Sequence, residues 1–282
     1  MSTALTAPPL DNASQLPPNL RTPLRDLILI LADSKRVLGL RYSDRMLGAP
    51  TLEAAIAASS MAQDEWGHAR LTYALLGDLG EDPKALEHAR TGAEYRSMPA
   101  LDHRFESWSD MIATGLLLDT ALSVQYGALL GSRYVPVHNR VQKLLDEERF
   151  HFQYAAGWIR RIGAVPELRP ELAAALGRCL PEALRWLGRD DDSATHRLVA
   201  EGIVREEPSA LRVHLLARVG PVLGETGLTG ELGILQDGGE WTFSQQLDWG
   251  GWDPATRRDT GSLDEETASR ARGDKNRALL MD

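Results

Sequence analysis

Glu65-Trp-Gly-His68 and Glu148-Arg-Phe-His151 are the two stretches of sequence that decide the fold. Each places a carboxylate and an imidazole three residues apart, and residues at that spacing share one face of a helix. The neighbouring residues at helical spacing are apolar or small, which predicts that both pairs point into a helical bundle. Buried charges of this kind need a cation for compensation, and a pair of metal ions is one known solution in a bundle.

Four long helical patterns contain or surround these pairs. They run over residues 22–47, 52–76, 106–130 and 137–162, and proline, glycine or a capping residue bounds each of them. A helix of ~25 residues is about 37 Å long, which suits a four-helix bundle. We therefore predict an all-α four-helix bundle with additional C-terminal helices over residues 167–187 and 193–223.

The sequence outside the bundle differs in composition. Residues 1–21 contain four prolines and scattered polar residues, which predicts a flexible N-terminal arm. Residues 22–223 form the predicted helical domain. From residue 224 the chain is rich in glycine and tryptophan and then in charged residues. This change predicts an irregular C-terminal extension over 224–282 that ends in a solvated polar tail from residue 254.

The third helix supplies a further carboxylate and the first helix supplies a lysine. Asp119 follows three leucines on an apolar stripe, so we predict that it is buried and faces the two pairs. On the first helix the inward stripe carries Lys35, at the position where a fourth carboxylate would complete a metal site. An ammonium group there is an alternative way to neutralise Glu65, Asp119 and Glu148.

Asp33 is the nearest acidic alternative on the first helix. It is two residues from Lys35 and lies on a different face. It could serve as a ligand only if the helix were rotated by about half a turn. The sequence therefore leaves open a complete two-metal site, a one-metal site and a lysine-bridged site without metal.

Composition excludes several other classes of function. The chain of 282 residues has a net charge of −9 and a pI of about 5.3 without a dense basic cluster, which argues against nucleic-acid binding. Cys179 is the only cysteine, so oxygen and nitrogen would have to bind any metal, which suits iron in a carboxylate bundle. No apolar run reaches the ~20 residues of a membrane span. We therefore expect a cytoplasmic protein that binds neither nucleic acid nor membranes.

Three segments resemble the large subunits of the phenylacetyl-CoA epoxidase family. They are Ala62-Gln-Asp-Glu-Trp-Gly-His-Ala-Arg70, Trp108-Ser-Asp with Leu118-Asp-Thr, and Asp146-Glu-Glu-Arg-Phe-His151. The resemblance covers about residues 25–225 and implies a ferritin-like fold. In the catalytic subunits of that family, a di-iron centre activates O2 and epoxidises the aromatic ring of an acyl-CoA. The resemblance implies that its iron ligands correspond to Glu65, His68, Asp119, Glu148 and His151.

The resemblance also implies partners and leaves two functions open. An oxygenase component would bind an aromatic acyl-CoA and form a homo- or hetero-oligomer with sister subunits. It would need a separate reductase, because the chain has no flavin, iron–sulfur or nicotinamide motif. Catalytic subunits have a glutamate where this chain has Lys35, whereas non-catalytic sister subunits lack most of the ligand set. The alternative is therefore a structural subunit or homologue whose degenerate site is closed by Lys35.

Overall fold

Helix α1 (Pro18–Arg45) is the central element of the fold, because neighbouring elements cover it over most of its length. The computed structural model describes residues 8–274. α1 packs along α2 (Leu52–Asp78), whose first turn is capped by the Thr51 hydroxyl accepting a hydrogen bond from the Ala54 amide. The close approach of the two helices requires Gly39, since a Cβ there would lie 2.7 Å from the ring nitrogen of Trp66.

Two further long helices complete the bundle. The third consists of α4 (Trp108–Thr114), a π-helical turn (Gly115–Asp119) and α5 (Thr120–Gly127). The fourth is α6 (Val135–Gly163), whose buried residues recur at helical spacing on one face. The predicted all-α, ferritin-like four-helix bundle is confirmed. The continuous helix predicted over 106–130 is interrupted by the π turn.

Shorter helices pack around the bundle. They are α3 (Pro83–His88), α7 (Arg169–Trp186), α8 (Ser193–Ala200) and α9 (Pro208–Thr226). The prediction of one helix over 193–223 is wrong, because Gly202 has a φ of 68° and Pro208 begins a new helix. Across residues 8–274, no helix combines the length and the apolar character that crossing a membrane needs.

The flexible arm predicted over 1–21 is wrong for its described part, residues 8–21. Leu10 forms two backbone hydrogen bonds at the start of α6: its amide donates to the Arg133 carbonyl (2.8 Å), and its carbonyl accepts from the Val135 amide (3.0 Å). Leu16 is 2% exposed, and α1 begins at Pro18 rather than at residue 22. The few apolar residues among the prolines are therefore sufficient to anchor this segment. Residues 1–7 of the prediction lie outside the described residues.

The C-terminal extension begins with a β-hairpin of β1 (Ile234–Asp237) and β2 (Glu240–Phe243), in which Ile234 pairs with Phe243. Its Gly238-Gly239 turn has positive φ at both residues, as a two-residue hairpin turn requires. Trp241 of β2 packs on α9 at Gly220, where a Cβ would come within 2.4 Å of the indole. The hairpin is therefore held against α9.

The prediction of a solvated tail from residue 254 is wrong as far as residue 274. Leu263 is buried, and α10 (Glu265–Arg272) lies on α1. Arg258 is 6% exposed, because its guanidinium donates to the Ser97 carbonyl (2.6 Å) and pairs with Asp102. Some of the charges that suggested a solvated segment are therefore paired with the rest of the fold, as Arg258 is with Asp102 and Arg270 with Asp44. Residues 275–282 of the prediction lie outside the described residues.

Candidate functional site at the centre of the bundle

Six ionisable side chains meet at the centre of the bundle, and they are the six that the sequence analysis singled out. Each of the four bundle helices contributes at least one of them, and each is at most 2% exposed. We call them the central cluster. Its members are Lys35 of α1, Glu65 and His68 of α2, Asp119 of the π turn, and Glu148 and His151 of α6.

The Lys35 ammonium group lies among the three carboxylates of the central cluster. Its Nζ is 2.7 Å from Asp119 Oδ1 and 2.6 Å from Glu148 Oε1. It is 3.1 Å and 2.9 Å from the two oxygens of Glu65. One ammonium carries three hydrogens, so it can donate one hydrogen bond to each carboxylate. Lys35 therefore links all three of the other bundle helices to α1.

The π turn determines where Asp119 points. A π turn inserts an extra residue into the helical repeat and shifts the residues on either side of it to a new face. The turn begins at Gly115, where a Cβ would lie only 3.3 Å from the Tyr42 hydroxyl and 3.4 Å from the Ala155 Cβ. With the turn packed this closely, Asp119 Oδ2 accepts a hydrogen bond from the Tyr42 hydroxyl (3.1 Å).

The two histidines cross between α2 and α6 in a symmetric arrangement. His68 of α2 has Nδ1 3.0 Å from Glu148 and Nε2 2.8 Å from Glu147. His151 of α6 has Nδ1 3.2 Å from Glu65 and Nε2 3.2 Å from Asp64. Each imidazole therefore bridges two consecutive acidic residues of the opposite helix. In each acidic pair, the inner carboxylate (Glu148 or Glu65) belongs to the central cluster, whereas the outer carboxylate (Glu147 or Asp64) is partly exposed.

The contacts favour the charged form of both imidazoles. Burial alone would lower the pKa of His151, but its hydrogen bonds with Asp119, Asp64 and Glu65 outweigh burial and raise that pKa. For His68, burial is likewise outweighed by Glu148 and Glu65, and the pKa is raised. His151 has carboxylate acceptors at both ring nitrogens, Asp119 at Nδ1 and Asp64 at Nε2, which is the geometry of an imidazolium.

Lys35 and Asp119 are held in their charged forms. Burial would lower the pKa of Lys35, but the charges of Asp119, Glu148 and Glu65 hold it well above its ordinary value. Burial would raise the pKa of Asp119, but Lys35 and the hydrogen bond from His151 hold it well below its usual range. The ammonium and the carboxylate thus stabilise each other's charge in the buried centre of the bundle.

Glu65 is the carboxylate least favoured as an anion. Burial and the neighbouring charge of Asp119 raise its pKa to about 7, although Lys35 opposes this shift. When Glu65 is ionised and Lys35 and both imidazoles are charged, three positive groups face three negative ones in the central cluster. The charges of the cluster therefore balance among its own side chains.

Four of these residues could hold a metal ion, as judged by their donor atoms. One donor atom each of Glu65, Asp119, Glu148 and His151 lies within 4.8 Å of the others. Lys35 Nζ, however, is within hydrogen-bonding distance of all three carboxylates, and the inner nitrogen of His151 faces Glu65 and Asp119. A histidine ligand must be neutral and direct a lone pair at the metal. With Lys35 in this position, the residues do not fit a two-metal centre.

Asp33 lies outside the central cluster and takes part in a separate buried ion pair. Its carboxylate pairs with the guanidinium of Arg90 and accepts hydrogen bonds from the Tyr73 hydroxyl (2.5 Å) and the Arg96 amide (2.8 Å). α1 is therefore not rotated to bring Asp33 inward. The residue that α1 directs at the centre is Lys35, as its stripe predicted.

Four residues of the site were given no role by the sequence analysis. Asp64 and Glu147 are the outer carboxylates at the histidines, and the signal for them was the acidic residue directly before each Glu-x-x-His. Tyr42 lies two helical turns after Lys35 and Ser123 one turn after Asp119, so both are on the predicted inward stripes. The Ser123 hydroxyl donates to Glu148 (3.1 Å), as Tyr42 does to Asp119. Polar residues on an apolar stripe were the signal for these two.

Comparison with known proteins gives one family. Residues 1–248 match the model of a family described as phenylacetic acid catabolic protein. A curated relative, one of the subunits of the 1,2-phenylacetyl-CoA epoxidase of Escherichia coli (strain K12), is 27% identical over 210 residues, which are 71% of this chain and 81% of the relative. The family match includes every residue of the central cluster. This chain therefore belongs to the phenylacetic acid catabolic protein family.

Proposed function

We propose that the chain is a structural subunit of a phenylacetyl-CoA epoxidase-type complex in phenylacetate catabolism, and that Lys35 closes its own bundle centre. The observation that carries the proposal is the position of Lys35 Nζ, 2.6–3.1 Å from oxygens of all three central carboxylates. An ammonium group there supplies the positive charge that a metal would otherwise supply. The family and the name of the relative support the complex and the pathway.

The central cluster would then serve assembly rather than chemistry. Breaking one partner out of a buried ion network leaves uncompensated charge and costs about 3–5 kcal/mol, so the four helices are held in one arrangement. A rigid bundle of this kind can present a constant surface to a catalytic sister subunit. In this proposal the sister subunit binds the aromatic acyl-CoA, a separate reductase supplies electrons, and the complex acts in the cytoplasm.

The oxygenase role is the second candidate, and one observation favours it. Glu65 Oε2 and His68 Nδ1 are buried and make no well-aligned hydrogen bond to any described residue, although charged atoms lie about 3 Å away. Two donor atoms are therefore available to a ligand if Lys35 moves away. In that case iron would be bound by Glu65, His68, Asp119, Glu148 and His151.

Turnover of the assembled complex distinguishes the two roles. The chain is combined with its catalytic sister subunit and reductase, and conversion of phenylacetyl-CoA is measured for wild type and for His151→Ala. We expect unchanged turnover per assembled complex, with assembly checked by size-exclusion chromatography. Loss of turnover by an assembled His151→Ala complex would establish the oxygenase role instead.

Metal analysis gives a second, independent readout that does not need the complex. Protein made with added iron is analysed as wild type and as Lys35→Glu, which restores a carboxylate on α1. We expect no iron in wild type and iron in the variant. Stoichiometric iron in wild type would contradict the proposal that Lys35 closes the site.

A further inference from the structure

A cavity of about 570 Å³ lies away from the central cluster, between the start of α1, the start of α8 and the C-terminal extension. This volume is in the range of small-molecule sites. Most of its wall is apolar, and no residue of the central cluster lines it. The apolar part of the wall includes Ala194 of α8 together with Pro18, Pro23, Leu27, Ile30, Leu198 and Pro254.

Arg257 is the buried cation of this cavity. It lines the wall and is 4% exposed, and its guanidinium lies over the Trp186 ring at 5.2 Å. Nη1 donates to the Gln125 amide oxygen (2.8 Å) and to the Trp186 carbonyl (3.2 Å). Both acceptors are neutral, and within residues 8–274 no carboxylate forms an ion pair with Arg257.

The two carboxylates in the cavity wall have other partners. Asp192 caps α8, where its oxygens accept hydrogen bonds from the Ala194 and Thr195 amides. Asp26 pairs with Arg25 and Arg96. The carbonyl at the end of α7 offers Arg257 only the partial charge of a helix terminus. Burial lowers the pKa of Arg257 to about 10; the charge of Asp192 opposes this shift, but Asp192 forms no ion pair with Arg257.

The backbone at Arg257 is also unusual. Its φ of 50° lies in the left-handed region, and among the described residues it is the one non-glycine residue with a positive φ. Such conformations persist where the surroundings hold them, and they cluster at binding sites. The residue in this conformation is the buried cation that lines the cavity.

We propose that this cavity binds a small organic monocarboxylate, with the carboxylate on Arg257 and the apolar body against the proline and aliphatic wall. One unpaired guanidinium matches one negative charge and can receive a carboxylate in a bidentate pair. A phosphate dianion has no apolar body to place against this wall, and the second cation of the wall, Arg197, is exposed rather than buried like Arg257. The proposal does not rest on the proposed function, because the two sites share no residue.

Calorimetric titration of the full chain tests the site with phenylacetate as the probe. Phenylacetamide has the same shape without the charge, and inorganic phosphate has charge without the apolar body. We expect phenylacetate to bind at least about tenfold more tightly than phenylacetamide, since a charged hydrogen-bonded pair is lost with the amide. We expect phosphate not to compete. Equal affinity for the acid and the amide, no binding of phenylacetate at millimolar concentration, or competition by phosphate would overturn the proposal.

Two variants and a matched control locate the binding. Arg257→Met should weaken phenylacetate binding at least about tenfold. Ala194→Trp should abolish it by filling the cavity from α8 while leaving Arg257 in place. Arg258→Met is the control, because it removes the neighbouring buried guanidinium, which pairs with Asp102 and does not line this cavity. Undiminished binding in a folded Ala194→Trp variant would contradict the proposal even if Arg257→Met fails to fold.

Discussion

Two of the buried charges of helix α1, Asp33 and Lys35, have opposite signs and different surroundings. Asp33 meets one guanidinium, that of Arg90, in a one-to-one ion pair completed by a hydroxyl and an amide. Lys35 instead meets three carboxylates, whose remaining charge is compensated by two histidines. A closed one-to-one pair fixes structure alone, whereas a crowd of carboxylates can exchange one cation for another. The second arrangement is the one that a metal site and a lysine-closed site have in common.

The largest effect should come from removing the shared cation. Lys35→Met leaves three buried carboxylates without their ammonium, so we expect a loss of about 5 kcal/mol in the free energy of unfolding. Urea denaturation at neutral pH measures it, and added divalent metal should restore part of the loss. Lys143→Met is the matched control, because its ammonium is 78% exposed and should contribute less than about 1 kcal/mol. A loss in Lys35→Met no larger than in this control would contradict the account.

Removing the one-to-one pair of Asp33 and Arg90 should lower the free energy of unfolding by less, and added metal should not restore the loss. Asp33→Ala leaves Arg90 buried without its carboxylate, although the Arg90 guanidinium keeps the carbonyls of Leu86 and Glu94. We expect a loss of about 3 kcal/mol, measured by the same denaturation. Asp26→Ala, which breaks partly exposed pairs with Arg25 and Arg96, should cost less than about 2 kcal/mol, since each such pair contributes at most about 1 kcal/mol. If added metal restored the stability of Asp33→Ala, the expected difference between this ion pair and the central cluster would be contradicted.

The pH dependence of the stability contributed by the central cluster should follow the titration of Glu65. Its folded-state pKa is raised to about 7 from an ordinary value of 4.5, so the folded chain binds this proton more tightly than the unfolded chain. Its contribution to stability is therefore fully present below pH 4.5 and is lost as pH rises through 7. The stability difference between wild type and Glu65→Gln should change by about 1 kcal/mol per pH unit in this window. Denaturation at several pH values would refute this if the difference were constant.

The smallest effect should come from the outer carboxylates. Asp64 has a side chain that is 40% exposed, so Asp64→Asn should change stability by less than about 1 kcal/mol. It should nevertheless lower the pKa of His151, since one of the hydrogen bonds that raise this pKa is weakened. An NMR titration of the histidine rings measures the shift, with exposed His196 as the internal reference. An unchanged pKa of His151 would show that the outer carboxylate does not support the imidazolium.

The Asp33 and Lys35 pair also shows how far sequence reasoning reaches. The stripe pattern correctly separated their faces, because the helical repeat alone fixes which residues point the same way. It could not find Arg90 as the partner of Asp33, since Arg90 follows α3 and reaches α1 only through the path of that loop. For the same reason, sequence reasoning wrongly predicted that residues 8–21 are flexible and that residues 254–274 are solvated. Their composition is polar, yet a few apolar anchors and paired arginines hold them on the bundle.

The all-α bundle, the family and the six residues that meet at the bundle centre could be inferred from the order of residues alone. Each of these depends on helical periodicity and local spacing, which the chain carries without knowledge of its neighbours. Packing of the helices was needed to establish that Lys35 contacts all three carboxylates, that a π turn directs Asp119 inward, and that each histidine bridges the acidic pair of the opposite helix. These features are contacts between separate helices, so their distances and the charge balance that follows exist only once the bundle has packed.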